Sequence, residues 1–322
     1  MLKKDTALEL YHKILRIRIV EEKIAELYSQ QEMRCPVHLC TGQEAIAVGV
    51  CAHLGKEDYV MSNHRGHGHY LAKGGDLKAM MAEIYGRSTG CSKGKGGSMH
   101  LTDLNVNFLG STPIVGGIIP VATGAAFGIA MKDQDRLTVV FFGDAATEEG
   151  VFCESLNFAA LKKLPIIFVC ENNFFSVYSP LRVRQPKERD NLALAKAYGI
   201  SGAKGNGNDI LEVYQLMEKA VSDIKRGSGP YYLEFDTYRW REHCGPGYDN
   251  HLGYREESEF LKWRSLCPVE AYEKKMIEAR MINEEQIKEL KSKIEAEFEE
   301  AVVFAKKSPF PGAEDVFTEV YA

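Results

Sequence analysis

Three strand-like runs, at residues 137–142, 165–170 and 231–238, constrain this chain more than any other feature. The first two are almost wholly apolar, so each reads as a strand buried on both faces, and the third, opening on Tyr231-Tyr232-Leu233, reads as a further strand. Helical patterns separate them, at 148–162, 192–198 and 210–224. Buried strands alternating with helices predict an α/β fold, a parallel sheet with helices on both faces. Residues 59–62 read as a further short strand and 120–131 as a small-residue helix suited to close packing on a sheet. An amphipathic helix is expected over 5–32 and another after Thr41-Gly42, giving N-terminal helices over about 5–55. Ile287, Leu290, Ile294, Phe298 and Val302 mark one face of a long helix within a C-terminal helical extension of about 256–310. Residues 86–112, rich in Gly, Ser and Lys, read as a long loop, which inside a compact fold is functional or disordered. With no repeat and no Pro- or Ser-rich linker, residues 1–322 are expected to form a single domain.

Composition removes several functions. A net charge of −5 gives no reason to expect nucleic acid or an anionic membrane as partner. The longest apolar stretches are far too short to span a bilayer, and Met1-Leu2-Lys3-Lys4 leads into an amphipathic run rather than an apolar signal core. The eight cysteines include no CxxC pair, so neither a zinc site nor a disulfide framework is indicated. Reduced thiols in a cytoplasmic protein are the expectation.

The chemistry lies at strand ends, where open α/β sheets bind ligands. One apolar run enters Gly143-Asp144-Ala145-Ala146 and a helix; the next enters Glu171-Asn172-Asn173-Phe174-Phe175. Asp144 and Asn173 are separated by about one strand–helix–strand unit, so neighbouring strands can bring both to one edge. Mg²⁺ takes hard oxygen ligands and shares them with phosphates, and the helix start near Ala146 would offer N–H groups to an anion. Taken singly, each motif is also an ordinary strand-end turn; both at this spacing point to a metal–diphosphate site. The histidines of His64-Arg65-Gly66-His67-Gly68-His69 leave a metal cluster or surface histidines as alternatives. A P-loop at 90–95 fails because Gly96, not Ser or Thr, follows Lys95 and no strand leads in. Gly205-Asn206-Gly207 likewise lacks a dinucleotide fingerprint.

Gly143-Asp144 followed by Asn172-Asn173 resembles the thiamine diphosphate motif. Thr41-Gly42-Gln43-Glu44-Ala45, Gly94-Lys95-Gly96-Gly97-Ser98-Met99-His100, Asn157-Phe158-Ala159-Ala160-Leu161-Lys162-Lys163-Leu164-Pro165 and Phe168-Val169-Cys170-Glu171-Asn172-Asn173 narrow the likeness. Together they resemble the alpha subunit of the two-chain 2-oxo acid dehydrogenase component, of pyruvate, branched-chain or acetoin type. The likeness runs from about residue 5 to Phe317-Thr318-Glu319-Val320-Tyr321. It implies a thiamine-diphosphate-binding fold, with thiamine diphosphate and Mg²⁺ as cofactors. Asp144, Asn173 and the Phe175 carbonyl are the implied metal ligands. The implied cofactor-binding residues are His64 (in place of a usual tyrosine), Arg65, Val115, Gly143, Asp144, Ala145, Ala146, Asn173, Phe175 and His243. His243 and His67 are the expected catalytic residues.

The resemblance also implies a beta subunit carrying the catalytic glutamate that this chain lacks, in an α₂β₂ heterotetramer. The implied activity is decarboxylation of a 2-oxo acid, pyruvate or similar, or action on acetoin, with the acyl group passed to a lipoyl acyltransferase. Ala145, Pro113 and Ile118 depart from the family pattern, as does His243-Cys244-Gly245-Pro246-Gly247-Tyr248-Asp249-Asn250, where Cys244 stands for a serine phosphorylated in some relatives. The 243–250 loop keeps open a carboligase or split transketolase-like enzyme acting on an aldehyde or sugar; a non-catalytic assembly subunit is a further alternative, which intact Asp144, Asn173, Arg65 and His243 argue against.

Overall fold

The computed structural model describes residues 2–318. The last part of the closing motif, from Glu319, lies outside the described residues. Helices α1 (Lys4–Tyr28) and α2 (Glu44–Cys51) precede strand β1 (Tyr59–Ser62). After it come α3 (His67–Lys73), α4 (Leu77–Ile84), β2 (Phe108–Ser111), α5 (Ile118–Met131), β3 (Thr138–Gly143), α6 (Gly150–Lys162) and β4 (Ile166–Asn172). A two-residue hairpin pair, β5 (Phe175–Ser176) and β6 (Ser179–Pro180), leads through the short α7 (Leu181–Arg184) to α8 (Asn191–Ala197) and β7 (Ser201–Asn206). Next are α9 (Ile210–Lys225), β8 (Tyr231–Asp236), α10 (Glu257–Ser265), α11 (Pro268–Glu278) and α12 (Glu284–Lys307).

Six strands form one parallel sheet in the order β2-β1-β3-β4-β8-β7. Successive side chains on a strand face opposite ways, and the central strands feed two apolar cores. Val139, Phe141, Ile167, Val169, Leu233 and Phe235 face α1, α2, α9 and α12. Val140, Phe142, Ile166, Phe168, Cys170 and Tyr232 face α5, α6 and α8. Two covered faces explain why these strands read as continuous apolar runs. The outer strands do not: β7 is Ser-Gly-Ala-Lys-Gly-Asn and largely exposed, and β2 lies inside the expected loop of 86–112. Short edge strands suit the rim of a sheet but leave no long apolar pattern to read.

The C-terminal stripe forms α12 as expected, with Ile287, Ile294 and Phe298 buried. Its start is fixed by a capping box between Asn283 and Gln286. The helix expected near Ala146 begins later: residues Asp144–Glu148 form a 3-10 turn, and α6 starts at Gly150.

Candidate active site

From β1 the chain moves outward to β2 and then, through α5, back across to β3 on the other side of β1. This reversal opens a crevice at the carboxyl ends of β1 and β3, the place where open α/β sheets bind ligands. A cavity of about 870 Å³, partly open to solvent, occupies it. Asn63, His64 and Arg65 arrive from β1, Gly143, Asp144, Ala145 and Ala146 from β3, and Asn173 and Phe175 from β4; Val115 and His243 complete the rim. Gly143 pairs with Glu171 in the sheet, so Asp144 and Asn173 sit one and two residues beyond the last shared register position.

The oxygen-bearing wall is tightly held. Asn173 donates Nδ2–H to Gln43 Oε1 at 3.2 Å, and its Oδ1 accepts from the Phe175 N–H at 3.2 Å. Gln43 therefore fixes which way the amide of Asn173 points. Gln43 is itself placed by Gly42, whose φ of +99° turns the chain beneath Tyr238 and Trp240. The carboxyl of Asp144 is buried and pushed up to about 6 by that burial, against the opposing pull of the Arg184 guanidinium paired with it.

The opposite wall is cationic. Arg65, 4% exposed, donates to the Leu39 carbonyl at 2.9 Å, and to the carbonyl and Nδ1 of His243 at 2.9 and 3.0 Å. Among the described residues no carboxylate is ion-paired with it. Burial and the nearby Arg239 pull its pKa down to about 9. A buried guanidinium with carbonyl rather than carboxylate partners is a strong anion receptor. Burial first and Arg65 second also hold the His64 imidazole down to about 2 and that of His243 to about 3.

The three histidines of 64–69 diverge instead of converging on one point. His64 faces the cavity. His69 bridges Ser62 Oγ at 2.8 Å and Glu171 Oε1 at 3.1 Å while stacking on Phe141. His67, expected among the catalytic residues, is fully buried behind Arg65, with Glu21 Oε1 at 2.6 Å and Ser98 Oγ at 2.7 Å. With both ring nitrogens engaged and no access to the cavity, His67 is placed to position its neighbours rather than to touch a substrate. The Gly-rich loop also binds an anion, but an internal one. Both oxygens of the buried Glu83 carboxylate accept backbone N–H bonds from Ser92, Gly94, Gly96 and Gly97 at 2.7–2.9 Å. That loop carries Ser98 to His67 and Met99 to the cavity wall.

Sequence reasoning missed His38, Asn63, Glu171 and Arg184 and gave Gln43 no separate role. Gln43 and Glu171 had a visible signal, inside Thr41-Gly42-Gln43-Glu44 and Glu171-Asn172-Asn173. Among the described residues no helix is long and apolar enough to cross a membrane.

Residues 12–314 match the family described as "Dehydrogenase E1 component". The chain is 39% identical over 321 residues to the alpha subunit of acetoin:2,6-dichlorophenolindophenol oxidoreductase from Bacillus subtilis, covering 99% of this chain and 95% of that one. It is 38% identical over 328 residues to the chloroplastic pyruvate dehydrogenase E1 component subunit alpha-3 of Arabidopsis thaliana, covering 100% and 76%. The pyruvate dehydrogenase E1 alpha subunit of Porphyra purpurea is 38% identical over 328 residues, covering 100% and 94%. These relatives do not favour the carboligase or assembly-subunit readings. The chain belongs to the dehydrogenase E1 component family, whose members depend on thiamine diphosphate, and stands on its alpha-subunit side.

Proposed function

We propose that this chain is the alpha subunit of a two-chain dehydrogenase acting on a 2-oxo acid or acetoin, and that its cavity holds the diphosphate of thiamine diphosphate through Mg²⁺. The observation that carries this reading is the pairing of a buried Asp144 carboxylate with the oriented Asn173 amide at adjacent strand ends, facing the carboxylate-free guanidinium of Arg65. The donor set fits the cofactor. Asp144, the Asn173 amide oxygen and the Phe175 carbonyl are hard oxygen ligands on one wall. Among the described residues no group of three His, Cys, Asp or Glu could hold a metal alone. A cation here needs further ligands from a phosphate-bearing partner, which is the usual habit of Mg²⁺.

When bound, thiamine diphosphate supplies a carbon centre that takes up the substrate carbonyl and stabilises the charge left by bond cleavage. This chain's residues bind and orient it. Arg65, His64 and His243 would hold the diphosphate, and the backbone around Val115 would meet the aminopyrimidine. His243 at the rim can hold an anionic oxygen or move a proton as the acyl group leaves. Relatives named as alpha subunits imply a beta subunit. The exposed Ile114 and Val115 on the cavity wall, with the exposed Val121 of α5, give it an apolar surface to cover. We infer an α₂β₂ assembly in which the beta chain brings the catalytic glutamate, with a lipoyl acyltransferase as acceptor of the acyl group.

The test is a titration of the purified pair with thiamine diphosphate and Mg²⁺, wild type against Asp144→Ala, followed by lipoamide reduction with pyruvate, branched-chain 2-oxo acids and acetoin. Loss of cofactor binding in the variant and lipoamide reduction by the wild type are expected. Cofactor binding indifferent to Asp144 would remove the site. Carbon–carbon ligation to an aldehyde without lipoamide reduction would remove the acceptor.

A further inference from the structure

Glu171 is a buried carboxylate that the cofactor reading leaves without a task. It pairs with Gly143 at the last position that β3 and β4 share, lines the cavity with Asp144 and Asn173, and is 3% exposed. Its Oε1 lies 3.1 Å from His69 Nε2. A carboxylate oxygen only accepts, so the ring donates its N–H. His69 is itself fixed: Nδ1 lies 2.8 Å from Ser62 Oγ at the end of β1, and the ring stacks on Phe141 of β3 with centroids 3.8 Å apart. Among the described residues no donor meets Glu171 Oε2, and no lysine or arginine is ion-paired with this carboxylate. A buried charge with an idle oxygen is costly unless a cation or donor answers it. We propose that Glu171, oriented by His69, is an outer-shell acceptor for the metal at the Asp144–Asn173 wall and sets how tightly that metal is held. This inference rests on the cofactor reading above.

The chemistry of the ion asks for such a group. Mg²⁺ dehydrates reluctantly, so beyond the oxygens of Asp144, Asn173, Phe175 and a diphosphate it keeps water. Water on a divalent cation is a strong donor and needs a fixed acceptor. The other polar groups of the wall are engaged. Asp144 Oδ2 is paired with Arg184, and the Asn173 amide is held by Gln43 and the Phe175 N–H. Glu171 is the carboxylate there with an oxygen to spare. The contact is a hydrogen bond, and no covalent bond changes. Partners of this kind orient a metal's ligands, and their loss typically weakens metal binding about 10–100-fold.

Mn²⁺, a hard octahedral stand-in for Mg²⁺, reports its own binding by electron paramagnetic resonance, and Ca²⁺ is measured by competition with it. Both are titrated into the cofactor-stripped alpha–beta complex at saturating thiamine diphosphate. Glu171→Gln keeps the size and an oxygen for His69 but puts an amide N–H₂ in place of the accepting Oε2. Its Mn²⁺ dissociation constant is expected to rise about 10-fold or more. His69→Phe keeps the carboxylate's charge but removes its hold, and a smaller rise is expected. Ca²⁺, whose shell is larger and more flexible, should weaken less than Mn²⁺ in both variants, whereas a merely distorted wall would lose both ions alike. Should Glu171→Gln fail to fold, His69→Phe carries the comparison. Wild-type Mn²⁺ affinity in the variants, or equal loss of the two ions, would overturn the outer-shell role. If Asp144→Ala abolishes Mn²⁺ binding while Glu171→Gln binds like wild type, only the outer-shell role fails. If Asp144→Ala itself binds like wild type, the cofactor reading fails.

Discussion

The guanidinium of Arg184 is ion-paired with Asp144, the carboxylate that follows the last residue of β3. Its other arm meets Glu148, Gln185 donates to Glu148 at 2.8 Å, and Arg189 holds the Thr147 carbonyl. The 181–189 segment is thus stitched onto the turn that presents Asp144, and Arg184 supplies the counter-charge for a buried carboxylate. Removing one partner of a buried pair leaves the other uncompensated, at a cost of about 3 kcal/mol. Arg184→Gln should lower the thermal midpoint of the cofactor-free complex. Mg²⁺ with thiamine diphosphate should then raise the midpoint further in the variant than in wild type, because the metal replaces the lost charge. Differential scanning fluorimetry measures both; an unchanged midpoint would show that the pair contributes nothing.

The rings of His38, His64 and His243, with centroids 4.9–5.4 Å apart on the cavity wall, predict a pH dependence of stability. In the folded chain His38 is held at about 4, His64 at about 2 and His243 at about 3, against an ordinary value of 6.5. Above pH 6.5 the rings are neutral folded or unfolded and contribute no slope. Below it the unfolded chain takes protons that the folded chain refuses, so stability falls as pH drops from 6.5 towards 4. Saturating cofactor should shrink that loss. Urea unfolding at pH 7 and pH 5, with and without cofactor, tests the sign. Equal slopes in the two states would contradict it.

How much of this was legible beforehand follows from where each residue gets its partner. β3 and β4 are buried on both faces and almost wholly apolar, so the fold class was written in their runs. Asp144 and Asn173 end two such strands, and sheet register alone brings them together. β7 is a polar rim strand, and the four-residue β2 is too short to show a pattern. His38 and Arg184 reach the cavity through tertiary contacts that no local spacing records, and burial of His67 against Glu21 depends on helices distant in sequence.

Gly42 carries a similar long-range constraint that substitution can expose. A Cβ there would lie 2.6 Å from the Tyr238 carbonyl oxygen and 2.7 Å from Trp240 Cδ1, at a φ of +99°. Gly199 has a φ of +79° with nothing within 4 Å, which isolates the backbone effect. Gly199→Ala should cost about 1 kcal/mol, and Gly42→Ala about 3 kcal/mol or more because overpacking is added. Gly42→Ala should also weaken Mg²⁺ binding through Gln43 and Asn173. Denaturation midpoints and a metal titration check this; equal costs at the two sites would mean that the Tyr238–Trp240 contact yields freely.

The Gly-rich loop gives the last test. Its shape depends on one buried carboxylate, since Glu83 receives four backbone N–H groups at once. Gln at this position keeps the size but has one accepting oxygen, and its amide N–H₂ would face two backbone donors. Leaving those donors unsatisfied costs about 1–3 kcal/mol each. Glu83→Gln should therefore lower stability by about 2–6 kcal/mol and open residues 87–100 to limited proteolysis. Because the loop carries Ser98 to His67 and Met99 to the cavity, the KM for thiamine diphosphate should rise more than kcat falls. A variant with a wild-type midpoint and an uncut loop would mean that the glycines hold their turns without Glu83, and that the carboxylate only occupies a nest formed for other reasons.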